Sequence, residues 1–260
     1  MRTVVYGNGK SRLKWDLKQN LHDDIITWGC NRIYNDTVVD NLVAVDYWVQ
    51  HDIIESGYAH KNKCWFSDWE VLPLEYDVQY LKEQYLAQGC NRFIENDNTN
   101  KTGKVVSGRW EPPLQALYIT WVDGTELVES IDFPVEWSSG STAMHLACQQ
   151  GAKEIYLMGF DLSGYPINNV YEEEQMEQFA KSPLPILYED QLKIFNRMGV
   201  SKEQLGGMKI DFEVRPDWVQ EMKATIKEFS DVKFIWVEPK HDVEKFTFNN
   251  LTYETYDKIY

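Results

Sequence analysis

The sequence predicts an α/β fold: a doubly wound, mostly parallel Rossmann-like sheet with an inserted loop or lid region. Short β-branched runs recur along the chain and close on turn residues, as strands buried on both faces should. Helical stripes alternate with them. Ala143/Ala147 and Met144/Cys148 are i,i+4 pairs, and Trp218, Val219, Met222, Ile226 and Phe229 share one helix face. The chain has 260 residues, 43% of them apolar, which suits a single α/β domain over 1–260 with a full core.

The elements follow in order. Arg2–Tyr6 reads as a buried strand running into the turn Gly7-Asn8-Gly9-Lys10-Ser11. Ile25–Trp28 is a second strand, closed by Gly29-Cys30-Asn31-Arg32. Leu42–Val45 is a third, closed by Asp46, and Cys64–Phe66 a fourth. Residues 91–125 read as an irregular insertion. Within it the polar stretch 96–104 looks like an exposed hairpin tip or a mobile loop, and Tyr118–Val122 before Asp123-Gly124 looks like a strand entering a turn. Ser138-Ser139-Gly140-Ser141 opens a helix that Gly151 stops. Ile155–Met158 is the next strand, closed by Gly159-Phe160-Asp161. The connection 162–177 is long for a βα loop and reads as a candidate lid. Helices are expected near Tyr188–Met198 and Asp217–Phe229, the second opened by Pro216, and Val232–Val237 is a last strand.

Composition narrows the function. The net charge of -15 argues against a protein held to a nucleic acid by bulk electrostatics. Cys30, Cys64, Cys90 and Cys148 form no C-x-x-C pair, so zinc is not expected. No apolar run is long enough for a membrane span and no signal region opens the chain, so a reduced, cytoplasmic protein is expected. A homo-oligomer is compatible with all of this.

The polar residues gather at the ends of strands. In an open parallel sheet, ligands collect at the carboxyl edge, where glycines let backbone approach phosphate or ribose. Gly7, Asn8 and Gly9 stand there. They are not a dinucleotide fingerprint, because Arg12 occupies the third glycine position, and the P-loop spacing is absent. Asn31 and Asp46 close the next two strands and offer an amide and a carboxylate to a base edge or ribose; either serves equally as a turn or cap residue. Ser138, Ser139 and Gly140 precede a helix, whose free N–H groups favour an anion; a serine there is also an ordinary N-cap. Asp161 lands on the same rim. Tyr165 and Tyr171 lie in the candidate lid, where their hydroxyls would hold a leaving phosphate. Glu172-Glu173-Glu174 reads as a solvated face. His145 falls off the Ala/Met stripe and is expected toward the rim or solvent.

These residues resemble the bacterial sialyltransferases of glycosyltransferase family 42. That family opens with a strand and a G-N-G-P-S turn, similar to Gly7-Asn8-Gly9-Lys10-Ser11. Its R-C-N-x-F-Y is similar to Gly29-Cys30-Asn31-Arg32-Ile33-Tyr34. Its T-S-G and G-x-K-E-I-Y-L-x-G-x-D-F resemble Ser138-Ser139-Gly140 and Gly151-Ala152-Lys153-Glu154-Ile155-Tyr156-Leu157-Met158-Gly159-Phe160-Asp161-Leu162. The resemblance implies a nucleotide-sugar donor held by Asn8, Asn31, Ser139, Gly140 and Asp161, with no required cofactor and a glycan, metabolite or nucleobase as acceptor. Asp46 stands where the family has a donor-binding Asn. The family's catalytic histidine lies downstream of the Asp equivalent to Asp161, yet no histidine occurs between Gly159 and Lys240. A carboxylate, Asp46, Glu189 or Asp190, then becomes the expected base. Two alternatives stay open. The archaeal pterin pyrophosphokinases share the glycine turn and the G-x-D strand end, and that chemistry would use Mg²⁺ on Asp46 and Asp161. The other is a nucleotide-binding module without catalysis.

Overall fold

A computed structural model describes residues 1–17, 21–22, 24–67, 69–71, 83, 92–96, 104–109, 116–122, 125–134, 137–162, 169–171, 216–239 and 245–258. The main sheet has eight strands: β1 (Arg2–Tyr6), β2 (Ile25–Cys30), β3 (Asn41–Ala44), β4 (Cys64–Phe66), β9 (Val128–Ser130), β10 (Glu154–Met158), β11 (Lys233–Val237) and β12 (Leu251–Glu254). Their order across the sheet is β12-β11-β10-β1-β2-β3-β4-β9, and every neighbouring pair is parallel. From β1 the chain steps outward through β2, β3 and β4 to β9. It then returns to the other side of β1 as β10 and steps outward again. The winding reverses between β1 and β10.

Helices cover both faces, which is why the strands lack a polar side. Val4, Leu42, Ala44, Phe66 and Ile235 pack on one face with Val49 and Ile53 of α1 (Tyr47–Glu55). Val5, Trp28, Val43, Leu157 and Trp236 pack on the other, against Met144 and Ala147 of α2 (Ser139–Gln149) and Met222 and Ile226 of α3 (Pro216–Glu228). Neighbouring residues on one strand, such as Val4 and Val5, therefore serve opposite layers. The expected doubly wound parallel sheet is what the chain forms.

Some elements differ from expectation. Within 91–125, read as irregular, the described residues include three strands. They are β6 (Arg92–Asn96), β7 (Lys104–Arg109) and β8 (Ala116–Val122), which join β5 (Trp69–Val71) in a second sheet of order β5-β7-β8-β6. The antiparallel β7–β8 ladder pairs Val105 with Trp121 and Val106 with Thr120. The expected strand Tyr118–Val122 lies in β8, whereas β6 and β7 escape notice because Ser107-Gly108-Arg109 and the charged residues of β6 break the apolar runs. α1 was hidden too, since Tyr47-Trp48-Val49 is aromatic and β-branched and tertiary packing overrides that propensity. β9 and β12 span three and four residues, too short for a period to show. The helix expected near Tyr188–Met198 and most of the 162–177 connection lie outside the described residues. Among the described residues no helix is long and apolar enough to cross a membrane.

Gly159 closes β10 with φ +71, and a Cβ there would stand 2.7 Å from the Gly7 carbonyl oxygen. Gly151 has φ +88 with open space around it. The two positions separate strain from collision. In urea unfolding, Gly151→Ala is expected to cost about 1 kcal/mol, from the left-handed backbone alone. Gly159→Ala is expected to cost roughly 3 kcal/mol or more, because main chain must also move.

Candidate functional site

Ligands of open parallel sheets lie outside the carboxyl ends of the strands, where the winding reverses. Here that place is the pair of loops leaving β1 and β10. They are bonded to each other. The Gly7 N–H donates to the Met158 carbonyl at 2.7 Å and the Gly9 N–H donates to the Gly159 carbonyl at 2.9 Å. A Cβ on Gly7 would lie 2.5 Å from the Gly159 oxygen, and one on Gly9 would lie 2.4 Å from Asp161 Oδ2. Both glycines are thus demanded by chain-to-chain contact, a reason the sequence does not disclose. Asp161 is 3% exposed, and its Oδ2 accepts the Ser11 N–H at 3.0 Å. It pins the 3₁₀ turn Lys10–Lys14 that follows the glycines.

Among the described residues, Asn8 Oδ1, Asn31 Oδ1 and Ser11 Oγ at this rim are buried oxygens without a hydrogen-bond partner, and Arg12 Nη1 beside them is a buried donor without one. The Asn8 amide Nδ2 donates to the Cys30 carbonyl at 3.1 Å, so its orientation is fixed and the oxygen is turned elsewhere. Asn31 opens the next loop in the left-handed region, φ 52, a conformation asparagine tolerates better than most residues. Buried acceptors left unsatisfied are costly, and they recur where a ligand completes the bonding. Asp46 opens α1 without a side-chain capping bond. Its side chain reaches solvent, while the surrounding protein mass pushes its pKa above the usual carboxylate value.

The start of α2 differs from a free anion cradle. Ser138 donates its N–H at 3.2 Å and its hydroxyl at 2.8 Å to Glu221 Oε2 of α3. Ser139 Oγ accepts the Val45 N–H at 3.1 Å, tying α2 to the end of β3 beside Asp46. A protein carboxylate already occupies the helix start, so Ser138 and Ser139 position α2. Gly140 is different. A Cβ there would meet only Cys30 Sγ and the Phe160 ring, at 3.9 Å. Packing within the chain gives no reason for a glycine there.

His145 corrects the expectation of a rim or solvent position. It is 0% exposed, ringed edge-on by Phe133, Trp137 and Phe229 at 5.1–5.5 Å. Tyr171 is also buried, and its hydroxyl is bonded to Arg12 at 3.0 Å and Asp36 at 2.5 Å. That hydroxyl is engaged inside the protein, whereas the sequence reading gave it to a phosphate. Tyr165, Glu189 and Asp190 lie outside the described residues. Arg12 and Asp36 are the site-supporting residues that sequence reasoning missed; the only signal was an arginine where a dinucleotide fold carries glycine. His51, Asp52 and Glu55 bring three potential metal ligands together on α1, but Arg32 already pairs with Asp52 at 2.5 Å, and neither Asp46 nor Asp161 belongs to the group. Comparison of the chain with family models, curated proteins and solved structures found no match.

Two outcomes follow from this geometry. Gly9→Ala is expected to lose about 2–3 kcal/mol in urea unfolding, because Asp161 must leave the Ser11 N–H. Gly140→Ala is expected to stay within about 0.5 kcal/mol of wild type, since its methyl fits. The second outcome concerns pH. Burial pushes the His145 pKa below 6.5, with the Glu228 carboxylate opposing. The unfolded chain then binds the proton that the folded protein refuses, so stability present above about pH 6.5 is lost as pH falls. Denaturant midpoints from pH 7 to 5 should fall less steeply in His145→Phe than in wild type.

Proposed function

We propose that the chain is a glycosyltransferase-like enzyme, which binds a nucleotide sugar at the β1/β10 crevice and transfers the sugar to an acceptor hydroxyl. The observation that carries this reading is the set of unpartnered amide oxygens on Asn8 and Asn31, held on adjacent loops at the reversal of the sheet. Amide acceptors suit the N–H groups of a base or the hydroxyls of a ribose. Gly140, whose missing side chain packing does not require, leaves room for a ligand against the start of α2. The resemblance to family 42 sialyltransferases would assign donor contacts to Asn8, Asn31 and Gly140 too, together with Ser139 and Asp161, whose side chains are bonded within the chain.

Asp46 is the proposed base. A carboxylate whose pKa is raised by desolvation is a better proton acceptor near neutral pH than an ordinary one. The acceptor oxygen attacks the anomeric carbon as the bond from that carbon to the donor phosphate breaks. The acceptor proton passes to Asp46, and the nucleotide leaves with the bonding electrons. The pyrophosphokinase alternative fits less well. Its Mg²⁺ would need Asp161 open to a ligand, and that side chain is buried against the Ser11 N–H.

Thermal melts with CMP, UDP, GDP and ADP, each with and without Mg²⁺, test the binding half. A nucleotide at 100 times its Kd should add about 2.7 kcal/mol of stability. Asp46→Asn is expected to keep that shift while release of nucleotide from the sugar donor falls at least ~100-fold. Nucleotide binding without turnover on any acceptor would point to the inactive module. Strict Mg²⁺ dependence with AMP formed from ATP would select the pyrophosphokinase.

A further inference from the structure

Arg12 is an expensive residue for its position. It is 1% exposed, at the carboxyl edge of the sheet, directly after the glycine turn. Burying a guanidinium costs desolvation that a pair with a solvent-exposed carboxylate, here Asp36, offsets only in part. An arginine kept here calls for a reason other than stability.

Its contacts form a closed triangle. Arg12 Nη2 donates to Asp36 Oδ2 at 3.1 Å and to the Tyr171 hydroxyl at 3.0 Å. The Tyr171 hydroxyl donates to the same Asp36 oxygen at 2.5 Å. The guanidinium carbon also lies 5.4 Å from the centre of the Tyr171 ring. Three chain segments meet in this triangle: the loop after β1, the turn after β2 that begins at Asn31, and residues 169–171.

The third segment is fastened to Asn8 on its other side. The Val170 N–H donates to the Asn8 carbonyl at 2.8 Å, and Gly9 pairs with Asn169 in an antiparallel bridge. The Tyr171 N–H donates to Asn169 Oδ1 at 2.8 Å, which keeps the segment tightly turned. The loops of Asn8 and Asn31 are therefore joined twice, by the Asn8 amide on Cys30 and by Arg12 on Asp36. Both bonds come from Nη2, whose two N–H groups lie in the rigid guanidinium plane and so hold Asp36 and Tyr171 at fixed angles, whereas the donors of an ammonium rotate.

We propose that Arg12, bolted by Asp36 and Tyr171, is a positioning residue that fixes the spacing of the Asn8 and Asn31 amides, so that nucleotide affinity depends on a cluster that never touches the nucleotide. The inference rests on the nucleotide-binding reading for its functional effect. Its structural half stands on the contacts alone.

A thermodynamic cycle tests it. Dissociation constants are measured by calorimetry for whichever of CMP, UDP, GDP and ADP binds wild type, in Tyr171→Phe, Asn8→Ala and the double variant. Tyr171→Phe keeps the ring and removes only the hydroxyl. Each single variant is expected to bind about 10-fold more weakly, and the double variant no more weakly than Asn8→Ala alone. Additive losses, near 100-fold in the double variant, would overturn the inference, as would wild-type affinity in Tyr171→Phe. Asp36→Asn repeats the test from the exposed corner of the triangle. If wild type binds none of the four nucleotides, the functional reading fails by itself, and amide hydrogen exchange then decides the bolt. Faster exchange at Gly9 and Val170 in Tyr171→Phe, with Ile155 in β10 unchanged, supports it; unchanged protection at Gly9 and Val170 contradicts it.

Discussion

The carboxyl rim depends on one backbone contact, between Gly7–Gly9 after β1 and Gly159–Asp161 after β10. Two main-chain hydrogen bonds carry the parallel pairing past the end of the strands. They bring the chains so close that neither Gly7 nor Gly9 has room for a β-carbon. This fixes where the first loop leaves the sheet. Asp161 then accepts from Ser11 and fixes how the loop turns. The position of Asn8, the course of Arg12 and the docking of 169–171 all follow from that turn. The contact lies where the sheet reverses its winding, so the strictest packing in the chain borders the place where ligands of such sheets gather.

Around this fixed point the polar groups divide into two kinds. Asp161, Ser138, Ser139, Arg12 and Tyr171 have partners inside the chain and hold loops or helices in place. Among the described residues, Asn8, Asn31 and Ser11 keep buried oxygens without partners, and Asp46 makes no side-chain capping bond. A folded chain tolerates unsatisfied and strained groups where a function uses them. The division separates residues bonded within the rim from those that keep an oxygen for the proposed ligand, and Asn8 does both, its amide nitrogen being bonded to Cys30. The motif mixes the two kinds: in Gly7-Asn8-Gly9 the glycines build the rim and the asparagine keeps an oxygen, and in Ser138-Ser139-Gly140 the serines build it.

Much of the architecture was legible in the sequence because burial on both faces leaves plain apolar runs. Val4-Val5, Leu42-Val43-Ala44 and Phe234-Ile235-Trp236 announce themselves as parallel strands, and Pro216 marks the start of α3. Of the second sheet only β8 was legible, as the run Tyr118–Val122; polar residues interrupt β6 and β7, and no local period survives there. The site was legible in place more than in role. Strand ends named Asn8, Asn31, Asp46 and Asp161 as rim residues, but sequence spacing cannot say whether a polar group finds a partner within the chain. Tyr171 and His145 show the limit: both are buried by contacts far away in sequence, Tyr171 with Arg12 and Asp36, and His145 with Phe133 and Phe229. Arg12 showed only as a broken glycine pattern, and its meaning lies in the two loops it joins.

The central claim is a nucleotide seated over the carboxyl rim, against the Asn8 and Asn31 loops. Amide hydrogen exchange with and without a saturating nucleotide tests this most directly, because it reports where the ligand sits without assuming a reaction. The account expects slowed exchange at Ser11, Asn31, Arg32 and Gly140, with the second sheet unaffected. Bound nucleotide that protects β7 and β8 instead, and leaves the Asn8 and Asn31 loops unchanged, would contradict it.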